Sequence, residues 1–146
     1  MKVVIYCNRI IAALIKESTT RDIIFNKNFD FFAPNYILIE INKYKSFIID
    51  KAKISEENFD ILLSLIFQNI IVIPKNIYNK FIKKFKYKIK DQKDIPYLAA
   101  AFAIKADGIW THDTDFKDQK EIQIFSNIDM LNLIRSNSQA LNIFLT

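Results

Sequence analysis

The stretch from Asp94 to Phe116, DIPYLAAAFAIKADGIWTHDTDF, decides how this chain is read. Asp94 stands where a helix N-cap belongs, and Pro96 fits a first helical turn. The alanines that follow suit a helix pressed closely on a sheet. GIWT (108–111) is then a short strand, begun at the only glycine of the chain. Asp113 and Asp115 follow its end. A helix, a strand and then acids form one unit of an alternating α/β chain.

Outward from this unit the same alternation continues. KVVIY (2–6) reads as a buried strand, followed by helical spacing through Ile10, Ile11, Leu14 and Ile15. STTRDIIFN predicts a second helix, capped by Ser18 or Thr19. FDFFAP (29–34) is a strand, with Pro34 opening the next helix, NYILIEINKYKSFI, on the stripe Ile37, Ile41, Tyr44. SEENFDILLSLIFQNI carries helix-start chemistry: Ser55 and Asn58 are capping types, and Glu56 and Glu57 suit the positive end of the dipole. IIVIP (70–74) is a strand. Residues 76–90 predict one amphipathic helix, with Ile77, Phe81, Phe85 and Ile89 on its apolar stripe. EIQIF (121–125) is the last strand, NIDMLNLIRSN the last helix, and SQALNIFLT an apolar tail suited to its own domain or a second copy. Strands separated by helices, without hairpin signals, predict a parallel sheet of four to five strands covered on both faces, a three-layer α/β/α architecture. No linker or repeat interrupts residues 1–146, which read as a single domain.

The 146 residues are 51% hydrophobic, which excludes disorder. One glycine leaves no glycine-rich loop, which argues against a nucleotide-binding module. One cysteine, Cys7, allows no intrachain disulfide and fits a reducing cytoplasm. Asn8 and Arg9 interrupt the opening apolar run, so it is no signal peptide. No apolar run approaches the roughly 20 residues of a membrane span. Net charge is +5, almost all lysine, which suits nucleic acid or an acidic protein as partner. Within 75–93, Lys80, Lys83 and Lys84 lie among aromatic residues and are candidates for RNA phosphates, the plain alternative being a solvated face.

In parallel sheets, sites lie beyond the carboxyl ends of the strands. The acids expected there are Glu40, Asp94, Asp113 and Asp115. Two unit charges about 4 Å apart repel by about 4 kcal/mol at an effective dielectric of about 20. A divalent cation removes that cost, and oxygen-rich clusters suit Mg2+ or Mn2+. Such an ion activates water against a phosphodiester. Taken singly, each acid has a plainer reading as a cap, a turn residue or a solvated helix residue.

KVVIYCNRIIAALIK, FAPNYILIEI and KDIPYLAAAFAIKADGIWTHDTDF together resemble the PIN domain family over roughly residues 1–135. These are small metal-dependent ribonucleases that include many toxins of toxin–antitoxin pairs. The resemblance implies that Glu40, Asp94 and Asp113 are catalytic and bind Mg2+ or Mn2+, with Asp115 as an additional acid. Asn8 matches the family's asparagine and orients the site. The family's first aspartate then falls on Tyr6. No slip of register rescues it, because residues 1–21 hold no acid except Glu17. A phenol with a reference pKa near 10 is a poor Mg2+ ligand. Arg9 is a further warning: its guanidinium could neutralise the acids without a metal, unless it is an exposed residue of the first helical turn.

The expectation is therefore a toxin–antitoxin type ribonuclease hydrolysing RNA, impaired by the loss of the first acid at Tyr6, its metal bound weakly or not at all. The alternative is a catalytically inactive PIN-like module that binds RNA or a protein partner. The resemblance implies an antitoxin protein and a homodimer as associations. His112 reads as a bystander, Cys7 as a small buried residue and Trp110 as core.

Overall fold

A computed structural model describes residues 1–16 and 18–145; the side chains of Ser18, Asp115 and 140–145 lie outside the described residues. Four helix-separated strands and a short fifth build one sheet. They are β1 (Lys2–Ile5), β2 (Asp30–Pro34), β3 (Ile70–Ile73), β4 (Gly108–Trp110) and β5 (Ile124–Phe125). The order is β3-β2-β1-β4-β5, and every pairing is parallel. Val3, Val4 and Ile5 are fully buried because β1 is the central strand and both of its faces are covered. Val4 lies opposite Phe32 and Ile109, which brings the ends of β1, β2 and β4 to one rim.

One face carries α1 (Cys7–Ile15), α2 (Ser18–Ile24), α3 (Tyr36–Lys43), α4 (Lys45–Ala52) and α5 (Glu56–Phe67). The other carries α6 (Lys75–Tyr78), α7 (Ile82–Phe85) and α8 (Ile95–Ala103). The three-layer parallel fold is thus the one the sequence predicts. The alanines of α8 earn their place: Ala99 and Ala100 face Ile73 and Tyr78, while Ala101 belongs to the main core. A helix between a sheet and a second helical layer is apolar on all sides. Gly108 is required by close approach. A Cβ there would stand 2.7 Å from the Gln123 carbonyl oxygen and 2.5 Å from the Phe125 ring.

The Ser55 cap forms as predicted, accepting from the Asn58 amide at 3.0 Å. Several boundaries differ. Pro34 closes β2 instead of opening a helix, and α3 and α4 are separate helices around Tyr44. The amphipathic helix expected over 76–90 is broken into α6, a 3-10 turn (Asn79–Phe81) and α7. Tyr78 turns inward and its hydroxyl donates to Asn35 Oδ1 at 2.5 Å, while Ile77 is 43% exposed. The buried stripe therefore starts one residue later than its spacing suggests, and the tighter turn absorbs the difference. The final helix, α9 (Asn127–Leu145), runs through the segment read as a tail. The packing of that tail concerns side chains outside the described residues. Ser126 and Asp129 start α9 by capping each other's amides, at 2.9 and 3.1 Å. Among the described residues no helix is long and apolar enough to cross a membrane.

With a single glycine in the chain, two helix ends place lysine in the left-handed region, Lys53 (φ 56°) and Lys105 (φ 54°). After α8, the Lys105 amide donates to Phe102 and the Ala106 amide to Ala101, the paired bonds of a Schellman motif that glycine serves best. Lys105→Gly should relieve this strain and stabilise the protein by about 1 kcal/mol, or roughly 2–6 °C in thermal denaturation. An unchanged or lower midpoint would show that Lys105 is not strained.

Candidate functional site

The rim is built from four chain segments. β1 ends at Ile5 and hands over to Tyr6, whose extended backbone (φ −84°, ψ 152°) starts α1. β4 ends at Trp110 and leads into Thr111, His112 and Asp113. Asp94 stands at the start of α8, and Glu40 lies on α3. Asp94 occupies the N-cap position the sequence predicts, yet its side chain makes no cap bond. Its carboxylate turns to the rim, where Tyr6 Oη donates to Asp94 Oδ1 at 2.6 Å. Asp94 is fully buried and Tyr6 is 9% exposed.

A second pair lies beside the first. Tyr97, one turn into α8, donates from its hydroxyl to Glu40 Oε1. The Tyr6 and Tyr97 rings meet edge to face with centroids 4.6 Å apart, and Phe116 packs on Tyr6 at 5.1 Å. Two carboxylates are thus each met by a phenol, and the aromatic bodies fill the space at the rim.

The electrostatics follow from burial. Removal from water pushes the Tyr6 phenol far above its usual range. The Asp94 hydrogen bond and the charges of Asp94, Glu40 and Asp113 push the same way. Three of the four predicted acids therefore act on one phenol, which stays a neutral donor. Burial also raises the Glu40 carboxyl, while the Tyr97 hydroxyl and the Lys93 charge pull it back down. Cys7 is buried as expected, and desolvation, aided by Glu40, raises its thiol.

Asn8 links the end of β1 to the turn after β4. Its Nδ2 donates to Thr111 Oγ1 at 3.3 Å, and its Oδ1 accepts from the His112 amide at 3.4 Å. Thr111 Oγ1 also accepts from the Asp113 amide at 3.0 Å, which holds the acid-bearing turn against β1. Arg9 is not the exposed residue of a first helical turn, being only 6% exposed. Its Nε donates to Asn8 Oδ1 at 3.1 Å and its Nη1 to Asn127 Oδ1 at 3.2 Å, an oxygen that also accepts from Trp110 Nε1 at 2.8 Å. Asp115 lies in the 3-10 turn Thr114–Asp118, and its side chain is outside the described residues.

Sequence reasoning missed Tyr97, Thr111 and Asn127. Tyr97 had one usable signal: a tyrosine inside an apolar helix carries a hydroxyl that needs a buried acceptor. Lys84 bonds to Glu121 at 3.1 Å and lies 4.7 Å from the Phe102 ring centre, Lys80 lies over Phe81, and Lys83 is exposed.

A metal-using centre needs carboxylate oxygens open to the ion. Here Asp94 and Glu40 each accept a phenolic hydrogen bond, and Tyr6 packs between Tyr97 and Phe116. Among the described residues no three His, Cys, Asp or Glu side chains form a group that could hold a metal ion. Two of the acids that the resemblance offers to Mg2+ or Mn2+ are thus each engaged by a phenol on one oxygen.

The five-stranded parallel sheet and the acids gathered at its rim define the class. The chain belongs to the PIN domain family, whose model matches residues 4–123. A chain in the crystal structure of VapBC2 from Rickettsia felis, bound to a DNA fragment from their promoter, has the same fold. The TM-score is 0.65 at 17% identity, covering 86% of this chain and 98% of that one. No curated protein matches the sequence significantly.

Proposed function

We propose that this chain is a PIN-domain protein of the toxin–antitoxin type whose nuclease centre is closed by Tyr6. The observation that carries this reading is the 2.6 Å hydrogen bond from Tyr6 to buried Asp94. The family's chemistry calls for an ionised carboxylate at position 6, and a neutral phenol there is a donor to the neighbouring acid. Of the acids matched to the family, Glu40, Asp94 and Asp113, with Asp115 assisting, remain. Cleavage of RNA is impaired, and the retained fold acts by binding. An antitoxin-like protein is the partner favoured, because the fold is that of a chain in VapBC2; homodimerisation follows from the same likeness. We read residues 1–146 as one domain working in the cytoplasm.

The test is Mn2+-dependent cleavage of RNA by the wild type, Tyr6→Asp and Asp94→Asn. The wild type should be at least about 10–100-fold slower than Tyr6→Asp, judged from what lost metal-site partners typically cost. Vigorous wild-type cleavage that Asp94→Asn abolishes would overturn the reading. No cleavage by any form, with RNA retained in a binding assay, would favour an RNA-binding module over an antitoxin-binding one.

A further inference from the structure

We propose that residues 75–90 form a docking surface for an acidic peptide segment of a partner protein. The inference rests on the reading of a retained fold that acts by binding, and it gives the chemistry of that partner. Charge is divided unevenly along the chain. Residues 75–90 hold seven lysines and no acid. Elsewhere the chain has 14 Lys and Arg against 16 Asp and Glu, so the whole net charge of +5 comes from this one segment.

The fold turns that charge outward. Tyr78, Phe85 and Ile89 are buried, α6 and α7 pack on α8, and all seven lysines are exposed. Like charges crowded on one surface repel one another, and a nearby carboxylate relieves them. The structure already supplies one. Glu121 accepts from Lys88 and lies 3.1 Å from Lys84. Lys88 and then Lys84 hold its carboxyl below the usual range. Among the described residues no acid pairs with Lys75, Lys80, Lys83, Lys86 or Lys90.

Two observations favour carboxylates over phosphates as the outside ligand. The anion that the segment holds within its own chain is a carboxylate. Every cation here is a lysine, a point charge that one carboxylate oxygen satisfies, and the guanidinium fork that suits phosphates is missing from the segment. Ile77, 43% exposed, and Tyr87, 90% exposed, add carbon surface that a peptide's side chains would cover. Glu121 then acts as an internal competitor for Lys84 and Lys88.

The experiment is fluorescence anisotropy on the full chain, at low salt and in EDTA. The probes are a labelled polyglutamate peptide and a labelled oligouridylate of the same charge. The peptide should bind the more tightly, and less so as salt rises. Lys80→Gln, Lys83→Gln and Lys86→Gln together should weaken it about tenfold, as three exposed charge pairs of ordinary strength imply. The same change at exposed Lys16, Lys27 and Lys51 should weaken it by less than about threefold, because solvent and salt screen distant charges. Glu121→Gln, which frees two lysines, should tighten it about threefold. No peptide binding, equal losses from the two triple variants, or unchanged or weaker binding by Glu121→Gln overturns the inference. Tighter binding of the oligouridylate also overturns it and makes the segment a nucleic-acid surface. The assay involves neither metal nor cleavage, so these failures leave the closed centre standing. Vigorous Mn2+-dependent cleavage by the wild type would sink the closed-centre reading without altering the peptide result.

Discussion

Tyr6→Ala should destabilise the protein by about 3–5 kcal/mol, the usual cost of deleting a buried aromatic side chain. For a chain of this length that lowers the thermal midpoint by roughly 10–20 °C. Two losses combine. The ring leaves its edge-to-face contacts with Tyr97 and Phe116, and fully buried Asp94 loses the phenol that donates to it. Tyr6→Phe separates them. It keeps the ring and removes the hydroxyl, and should cost about 1–3 kcal/mol. Adding EDTA should change neither value, because a hydrogen-bonded plug and not an ion joins β1 to α8. The measurement is urea denaturation of the three forms with and without chelator. Losses below about 0.5 kcal/mol for both variants, the range of an ordinary surface change, would show that Tyr6 is no keystone.

The second large effect concerns Tyr97. Tyr97→Phe removes the hydroxyl that meets the buried Glu40 carboxylate and should cost about 1–3 kcal/mol at neutral pH. The pH dependence identifies the cause. Burial already raises the Glu40 carboxyl above its unfolded value, so the folded state binds this proton more tightly than the unfolded one. Stability from this group is therefore highest below the unfolded carboxyl range and falls as pH rises towards the raised folded value, after which it levels off. The Tyr97 bond lowers the folded value and limits that fall. Without it the fall extends to higher pH, so Tyr97→Phe should be most harmful at neutral pH and least harmful in acid. Denaturation curves across this range, with Glu40→Gln as a control whose pH dependence should flatten, provide the check. A loss independent of pH would mean that the hydroxyl does not support a charged Glu40.

Much of this architecture was legible in the residues. The alternation of β-branched runs with helical spacing requires a parallel sheet, because no hairpin turn joins neighbouring runs. Acids placed just after strands or at helix starts then fall on one rim, as Asp113 and Asp94 do, and Glu40 of α3 joins them around Tyr6. The match to the family spans residues 4–123, which, Lys2 and Val3 apart, hold all three of the segments that carried the resemblance.

What stayed hidden depends on partners distant in sequence. Arg9 at the start of an amphipathic helix looks solvated, and its burial requires Asn127, brought over by α9. Tyr97 looks like core until Glu40, 57 residues away, is seen to accept from it. The helix expected over 76–90 breaks because Tyr78 finds Asn35 across the sheet rim. Local periodicity and turn chemistry determined the layers, the strand character and the roster of acids, since these follow from short-range geometry. Only the tertiary structure decided that phenols meet two of those acids, Asp94 and Glu40, because a buried carboxylate takes whichever donor the packed chain brings within reach.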